Sequence, residues 1–114
     1  MDETILASMK QMLGIEASQT AFDSELIMHL NAQFSHLAQL GVGDGSFLIR
    51  DGTETWTDYL GDDSPYFANV PLYLYTAIRC VFDPPSSGFA MTALQDTQKE
   101  CEFRITITAS ELNE

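Results

Sequence analysis

Residues 65–82 read PYFANVPLYLYTAIRCVF, and their apolar spacing decides the fold class. Phe67, Val70, Leu74, Ile78 and Val81 recur every three or four positions, the period that lines one face of an α-helix. Ser64-Pro65 supplies the start, because proline's fixed φ and missing N–H suit the first helical position. Asp83-Pro84-Pro85 supplies the stop near Phe82, since a proline can neither continue a helix nor leave its predecessor in helical geometry. Pro71 is the awkward residue. It fits only within the first turn of a helix restarting at Asn69; deeper in, it would remove a hydrogen bond and kink the element.

Upstream, Thr55 can cap one helical turn from Trp56 to Leu60, with Asp58 three residues on in the reciprocal capping position and Gly61 as the stop. Residues 41–54 hold most of the glycines, and Asp51-Gly52 between FLIR and TETW is a two-residue hairpin signal that needs positive φ. A Gly-rich loop or a short hairpin is expected there. Before it, Asp23 is placed to cap a helix over 23–40, with Phe22 and Ile27 as a hydrophobic staple. Leu26, Leu30, Phe34 (or Gln33) and Leu37 mark its buried stripe, and Gly41 ends it. Residues 15–21 are a small, polar linker. In the first helix, over 2–13, Ile5, Leu6, Met9, Met12 and Leu13 repeat at three- and four-residue spacing, with Asp2 and Glu3 at the positive end of its dipole and Gly14 at its C-terminal cap.

Downstream, Ser86 or Ser87 caps a last helix over 87–104, with Phe89, Ala90, Leu94, Cys101 and Ile105 inward. Residues 103–108, FRITIT, alternate apolar and polar with β-branched side chains, which is a strand pattern rather than a helical one. The expectation is mainly α: one domain over 1–114, a small bundle of four to five helices with the Gly-rich loop or hairpin between helices 2 and 3, and an extended tail at 105–114.

At 114 residues and net charge −12, the chain is short and strongly acidic. A domain of this size buries roughly two-thirds of its unfolded surface, so partners can add much to its stability. The acids are spread over both halves. Lys10, Arg50, Arg79, Lys99 and Arg104 form no cluster that could neutralise several phosphates, which argues against specific nucleic-acid binding. Cys80 and Cys101 sit in apolar helical patterns and suit a reducing compartment. The N-terminus carries acids where a signal peptide carries positive charge, and no apolar run approaches the roughly 20 residues of a membrane span. The reading is a soluble, cytoplasmic protein.

Catalytic and metal chemistry find no constellation. His29 and His36 share a helix face but stand about 10.5 Å apart along the axis, too far to hold one metal. Asp44, Asp51, Asp58, Asp62 and Asp63 lack the spacing of a calcium loop. Gly41-Val42-Gly43-Asp44-Gly45 follows a helix, whereas a dinucleotide fingerprint follows a strand. No serine lies in a nucleophile elbow, and neither cysteine has a histidine nearby in sequence to act as its base. No enzyme, cofactor or metal is expected. The one tryptophan, Trp56, either covers the small core or anchors an interface. Tyr66, Phe67, Tyr73 and Tyr75 exceed one helix face, so some of them should be exposed or meet another subunit.

Five segments together resemble a known family: Asp23-Ser24-Glu25-Leu26, Gln39-Leu40-Gly41-Val42-Gly43, T-W-T-D-Y-L-G-D-D at 55–63, F-D-P-P-S-S at 82–87, and Q-K-E-C-E-F-R at 98–104. In that order and at those separations, over residues 20–108, they are similar to the head-tail connector (head completion) proteins of long-tailed bacteriophages. The resemblance implies a helical bundle without catalytic activity that forms a ring of twelve subunits. The ring would lie between the portal protein and a stopper or tail completion protein, in the virion, after assembly in the host cytoplasm. Packaged DNA would pass through the ring, and acidic walls would not hold it. Two features depart from the family pattern, the Pro71 interruption and the Thr-rich C-terminus. The candidate interface residues are Trp56, Tyr73, Tyr75, Ile105, Ile107 and Leu112. The last three lie in a tail with two readings: it is poorly ordered in the free subunit and orders against a neighbour, or Ile105 and Leu112 finish the last helix against the core. A competing reading is an acidic DNA mimic or inhibitor, which would need carboxylates in regular exposed rows. Here many acids fall at helix starts and in loops, where capping explains them.

Overall fold

The structure is a computed structural model that describes residues 3–112; Asp2, assigned above to the first helix dipole, lies outside them. In chain order it forms α1 (Ile5–Leu13), α2 (Asp23–Gln39), α3 (Trp56–Leu60), a 3₁₀ turn (Pro65–Ala68), α4 (Val70–Phe82) and α5 (Gly88–Leu112). Among the described residues there is no β-strand, and one isolated bridge joins Thr4 to Thr55. The fold is mainly helical, as the periodicity of residues 65–82 requires.

α4 lies at the centre and packs against α1, α2 and α5. Its Val70, Tyr73, Leu74, Ala77 and Ile78 are buried with Ile5, Met9, Leu26, Leu30, Phe34 and Leu37 from α1 and α2. The Pro71 problem is resolved by division. Ser64 accepts a hydrogen bond from the Tyr66 N–H and starts the 3₁₀ turn, Asn69 closes it, and α4 begins at Val70 with Pro71 in its first turn. The single helix expected over 65–82 is thus two elements. Val81 is a second correction, being 62% exposed. The last turn of α4 instead brings Phe82 to Phe22, edge to face at 5.4 Å. That contact also occupies Phe22, which was expected to staple to Ile27.

Helix ends follow their local chemistry. Thr4 caps α1 by accepting the Ala7 N–H at 3.1 Å, and Gly14 closes it in the left-handed region at φ +78°. α2 has no side-chain cap. Asp23, expected as that cap, forms an ion pair with Lys10 at 3.0 Å. Lys10 is buried, and its ammonium also donates to the Ala17 carbonyl at 3.1 Å. α3 carries the full reciprocal box: Thr55 Oγ1 accepts the Asp58 N–H at 3.1 Å, and Asp58 accepts the Thr55 N–H at 2.9 Å.

No hairpin forms around Asp51-Gly52. Gly52 does adopt φ +90°. However, side chains take the place of a partner strand. Asn31 of α2 accepts the Ile49 N–H at 2.8 Å and donates to the Ile49 carbonyl at 3.1 Å, so one amide satisfies both backbone groups. Glu54 accepts from the Arg50 and Gly52 N–H groups, and Asp51 accepts from Thr53. The Gly-rich loop alternative is the one that holds.

The strand pattern at 103–108 is overridden, and α5 runs on to Leu112. Thr106 and Thr108 donate their hydroxyls to the carbonyls of Glu102 and Arg104 at 2.8 and 3.0 Å. These bonds satisfy the hydroxyls within the helix, while Ile105 and Ala109 pack into the core. Tertiary burial decides over β-propensity. The extended tail expected over 105–114 is therefore the last turns of a helix as far as the described residues go.

Candidate assembly surfaces

Two features at opposite ends of α2 stand out. At the C-terminal end, the capping box fixes α3 and presents Tyr59 to Phe34 of α2 and Phe47 of the loop. The ring centroids lie 5.1 Å (Phe34–Phe47), 4.7 Å (Phe34–Tyr59) and 4.7 Å (Phe47–Tyr59) apart. These three rings, with Val42 and Leu48, line a cavity of about 330 Å³. Asp44, Arg50 and Asp58 also line it. Hydrogen bonds from Ser46 hold the Asp44 carboxyl below the usual carboxylate range, so it stays ionised. Burial pushes the Tyr59 phenol up, and its hydroxyl has no partner among the described residues.

Gly41 closes α2 against the far end of α5. At φ +106°, a Cβ there would stand 2.5 Å from Ala109 Cβ, so glycine is required both by backbone conformation and by close approach. Nearby, Tyr66 donates its hydroxyl to the Gly41 carbonyl at 3.4 Å.

At the other end of α2, where Phe22 meets Phe82, the chain turns through Asp83-Pro84-Pro85 into α5. Ser87 caps α5 by accepting the Ala90 N–H at 3.0 Å. Cys101, Ile105 and Ala109 are the buried residues of this 25-residue helix. Ala90, Leu94 and Leu112 fall on the same stripe at 100° per residue. Phe89, Phe103 and Ile107 fall within about 40° of one another on the opposite side. They are 89%, 62% and 41% exposed, so α5 is apolar on two faces and packs only one. Phe89, expected in the core, is thus a correction: it is sixteen residues before Ile105, which turns it outward.

The six residues selected from sequence divide. Trp56 lies inside the subunit at 1% exposure and donates its indole N–H to Ser8 Oγ at 2.9 Å. Tyr73 is also buried; it donates to Gln33 Oε1 at 2.9 Å, and burial pushes its phenol up to about 12. Ile105 is fully buried. These three hold the fold and present no surface in this subunit. Tyr75 is half-buried and accepts a hydrogen bond from Arg79 at 2.9 Å. Ile107 and Leu112 are exposed, at 41% and 57%. Phe103 was missed as a surface residue; its position two residues from Cys101 and Ile105, out of their stripe, was the available signal.

His36 stacks on Tyr73 at 6.0 Å and lies 3.9 Å from Glu102, tying α2 to α4 and α5. Among the described residues, no group of three His, Cys, Asp or Glu side chains could hold a metal ion. Cys101 is buried, and burial pushes its thiol up, which disfavours the reactive thiolate. No described helix is long and apolar enough to cross a membrane.

Compared with known proteins, the chain matches the family model described as phage connector protein over residues 5–111. No curated protein and no solved structure matches it.

Proposed function

The chain belongs to the phage connector protein family, and from that premise we propose that it is a non-enzymatic virion protein joining the DNA-filled head to the tail. In this reading residues 1–114 form one connector domain. Twelve copies make a ring whose one side meets the portal protein and whose other side meets a stopper or tail completion protein. The protein is in the host cytoplasm during assembly and afterwards at the head-tail interface. DNA passes through the ring without being bound specifically.

The observation that carries the proposal is the family match, which spans nearly the whole chain. The surface supports it: α5 leaves Phe103 and Ile107 in solvent on the side away from its packed face, with Leu112 exposed at its end. Exposed apolar groups of this kind mark contact surfaces. Tyr75 contributes as a half-buried neighbour held by Arg79. The role of Trp56, Tyr73 and Ile105 in assembly is then indirect, through the fold that positions these groups.

The DNA-mimic alternative loses ground on the same side chains. Asp23, Asp44, Asp51, Glu54 and Asp58 are occupied by an ion pair, by turns and by a cap rather than standing in rows.

Purified portal rings incubated with an excess of the protein test the proposal by sedimentation and native mass measurement. The expected result is a portal complex heavier by twelve subunits, with no salt-sensitive retention of the protein on a duplex DNA column. A protein that leaves portal rings unchanged, or that is held by the DNA column, contradicts it.

A further inference from the structure

We infer that neighbouring copies join head to tail, the exposed Phe89 of one subunit entering the Phe34–Phe47–Tyr59 cavity of the next. The inference deepens the ring reading above and rests on it.

Phe89 stands 89% exposed in the first turn of a 25-residue helix that Ser87 caps, so a large apolar group is held out on a rigid support. Exposure of this degree leaves its ring in water unless a partner covers it. Phe47 and Tyr59, backed by the buried Phe34, form one wall of the cavity beside a polar rim, and its volume of about 330 Å³ falls at the small end of sites that enclose one ligand group. Aromatic side chains entering such a lining favour the edge-to-face and offset geometries already present among its rings.

Charge favours the same pairing. Pro84 to Gln95 contains no charged residue, although the chain as a whole carries −12. The start of α5 is also the positive end of its dipole. The cavity is lined by Asp44 and Asp58 against one cation, Arg50, so its charge is net negative, with the Asp44 carboxylate held ionised. An uncharged, dipole-positive tip therefore meets an acidic rim, where another acidic surface of this chain would be repelled.

The two halves of the contact are separate surfaces, and in the ring reading they meet heterologously. Phe22, at the tip end, and Phe34, at the cavity end, are twelve residues apart on α2, about 18 Å along its axis. In a ring each copy has a different neighbour on either side, so the tip of one subunit meets the cavity of the next and its own cavity takes the tip of the one before. Repetition of the contact produces a closed ring or an open chain of subunits.

Two variants separate the halves of the contact. Phe89→Ala removes the knob and keeps the cavity; Leu48→Arg blocks the cavity and keeps the knob, with Asp44→Lys as a second block. Both Phe89 and Leu48 are exposed, so circular dichroism and thermal melting should match the wild type. In sedimentation velocity, the wild type should associate with rising concentration, and each variant alone should remain monomeric. An equimolar mixture of Phe89→Ala and Leu48→Arg should form one-to-one pairs and nothing larger, because a single knob and a single cavity remain complementary. Association of Phe89→Ala like the wild type, a mixture that stays monomeric, or a wild type monomeric at millimolar concentration would overturn the inference. If that happens while the protein still loads onto portal rings, the contact falls and the connector reading stands; loss of portal loading as well removes both.

Discussion

Trp56 of α3 lies inside the subunit with its indole N–H donated to Ser8, on a helix closed at one end by the Thr55–Asp58 box and at the other by Gly61. α5 is five times as long, yet it buries three residues and leaves Phe89 and Phe103 in solvent. The short helix uses its largest side chain to complete one subunit, and the long helix keeps apolar groups outside. A side chain's size is therefore a poor guide to whether it serves the core or a partner. What distinguishes the two here is the set of contacts around each. The indole has a hydrogen-bond partner and is enclosed in the core at 1% exposure, whereas Phe103 has the far side of a helix whose packed face is already determined by Cys101, Ile105 and Ala109.

Substitutions should separate these classes by their effect on the free subunit. Trp56→Ala should be the most damaging, destabilising by about 3–5 kcal/mol through the cavity it leaves. It also leaves the buried Ser8 hydroxyl without the indole donor. Chemical denaturation of the isolated protein checks this, and a change below about 1 kcal/mol would move Trp56 out of the core class. Gly41→Val tests the junction of α2 with the end of α5. With φ at +106° and Ala109 in the way, it should destabilise by about 2 kcal/mol. Truncation before Ile107 removes Ala109 from the same junction and should lower the melting temperature. Unchanged melting would restore the reading of an independent tail.

Thr55→Ala should have a smaller effect, about 1 kcal/mol, from loss of the α3 cap. Smallest of all, Phe103→Ser combined with Ile107→Ser should change stability by no more than about 0.5 kcal/mol. That double variant should nevertheless fail to load onto portal rings. A large loss of stability from it would mean that the outward face of α5 belongs to the fold, and the contrast with α3 would collapse.

The sequence was most informative where one residue type has one local use. Thr55, Asp58 and Gly61 announced α3, Ser64-Pro65 announced a helical start though not that its first turn is 3₁₀, and Pro71 demanded the restart that Asn69 provides. It was least informative where distant residues decide. FRITIT alternates like a strand, and only the packing of Ile105 and Ala109, with threonine hydroxyls bonded back along the helix, makes it helical. Nothing within FLIRDG reveals that Asn31 will satisfy Ile49 and remove the need for a hairpin partner. On the surface of α5, Ile107 and Leu112 were singled out from sequence and are exposed, whereas Phe103, also exposed, was not singled out. The cavity was illegible, because Phe34, Phe47 and Tyr59 meet from three separate segments.

The central claim is that this protein joins filled heads to tails, and electron microscopy of particles from a phage lacking its gene tests it most directly. The account predicts DNA-filled heads and separate, complete tails that fail to join, with infectivity restored when the wild-type protein is supplied. Joined, infectious particles formed in its absence would contradict it, as would heads that never fill with DNA.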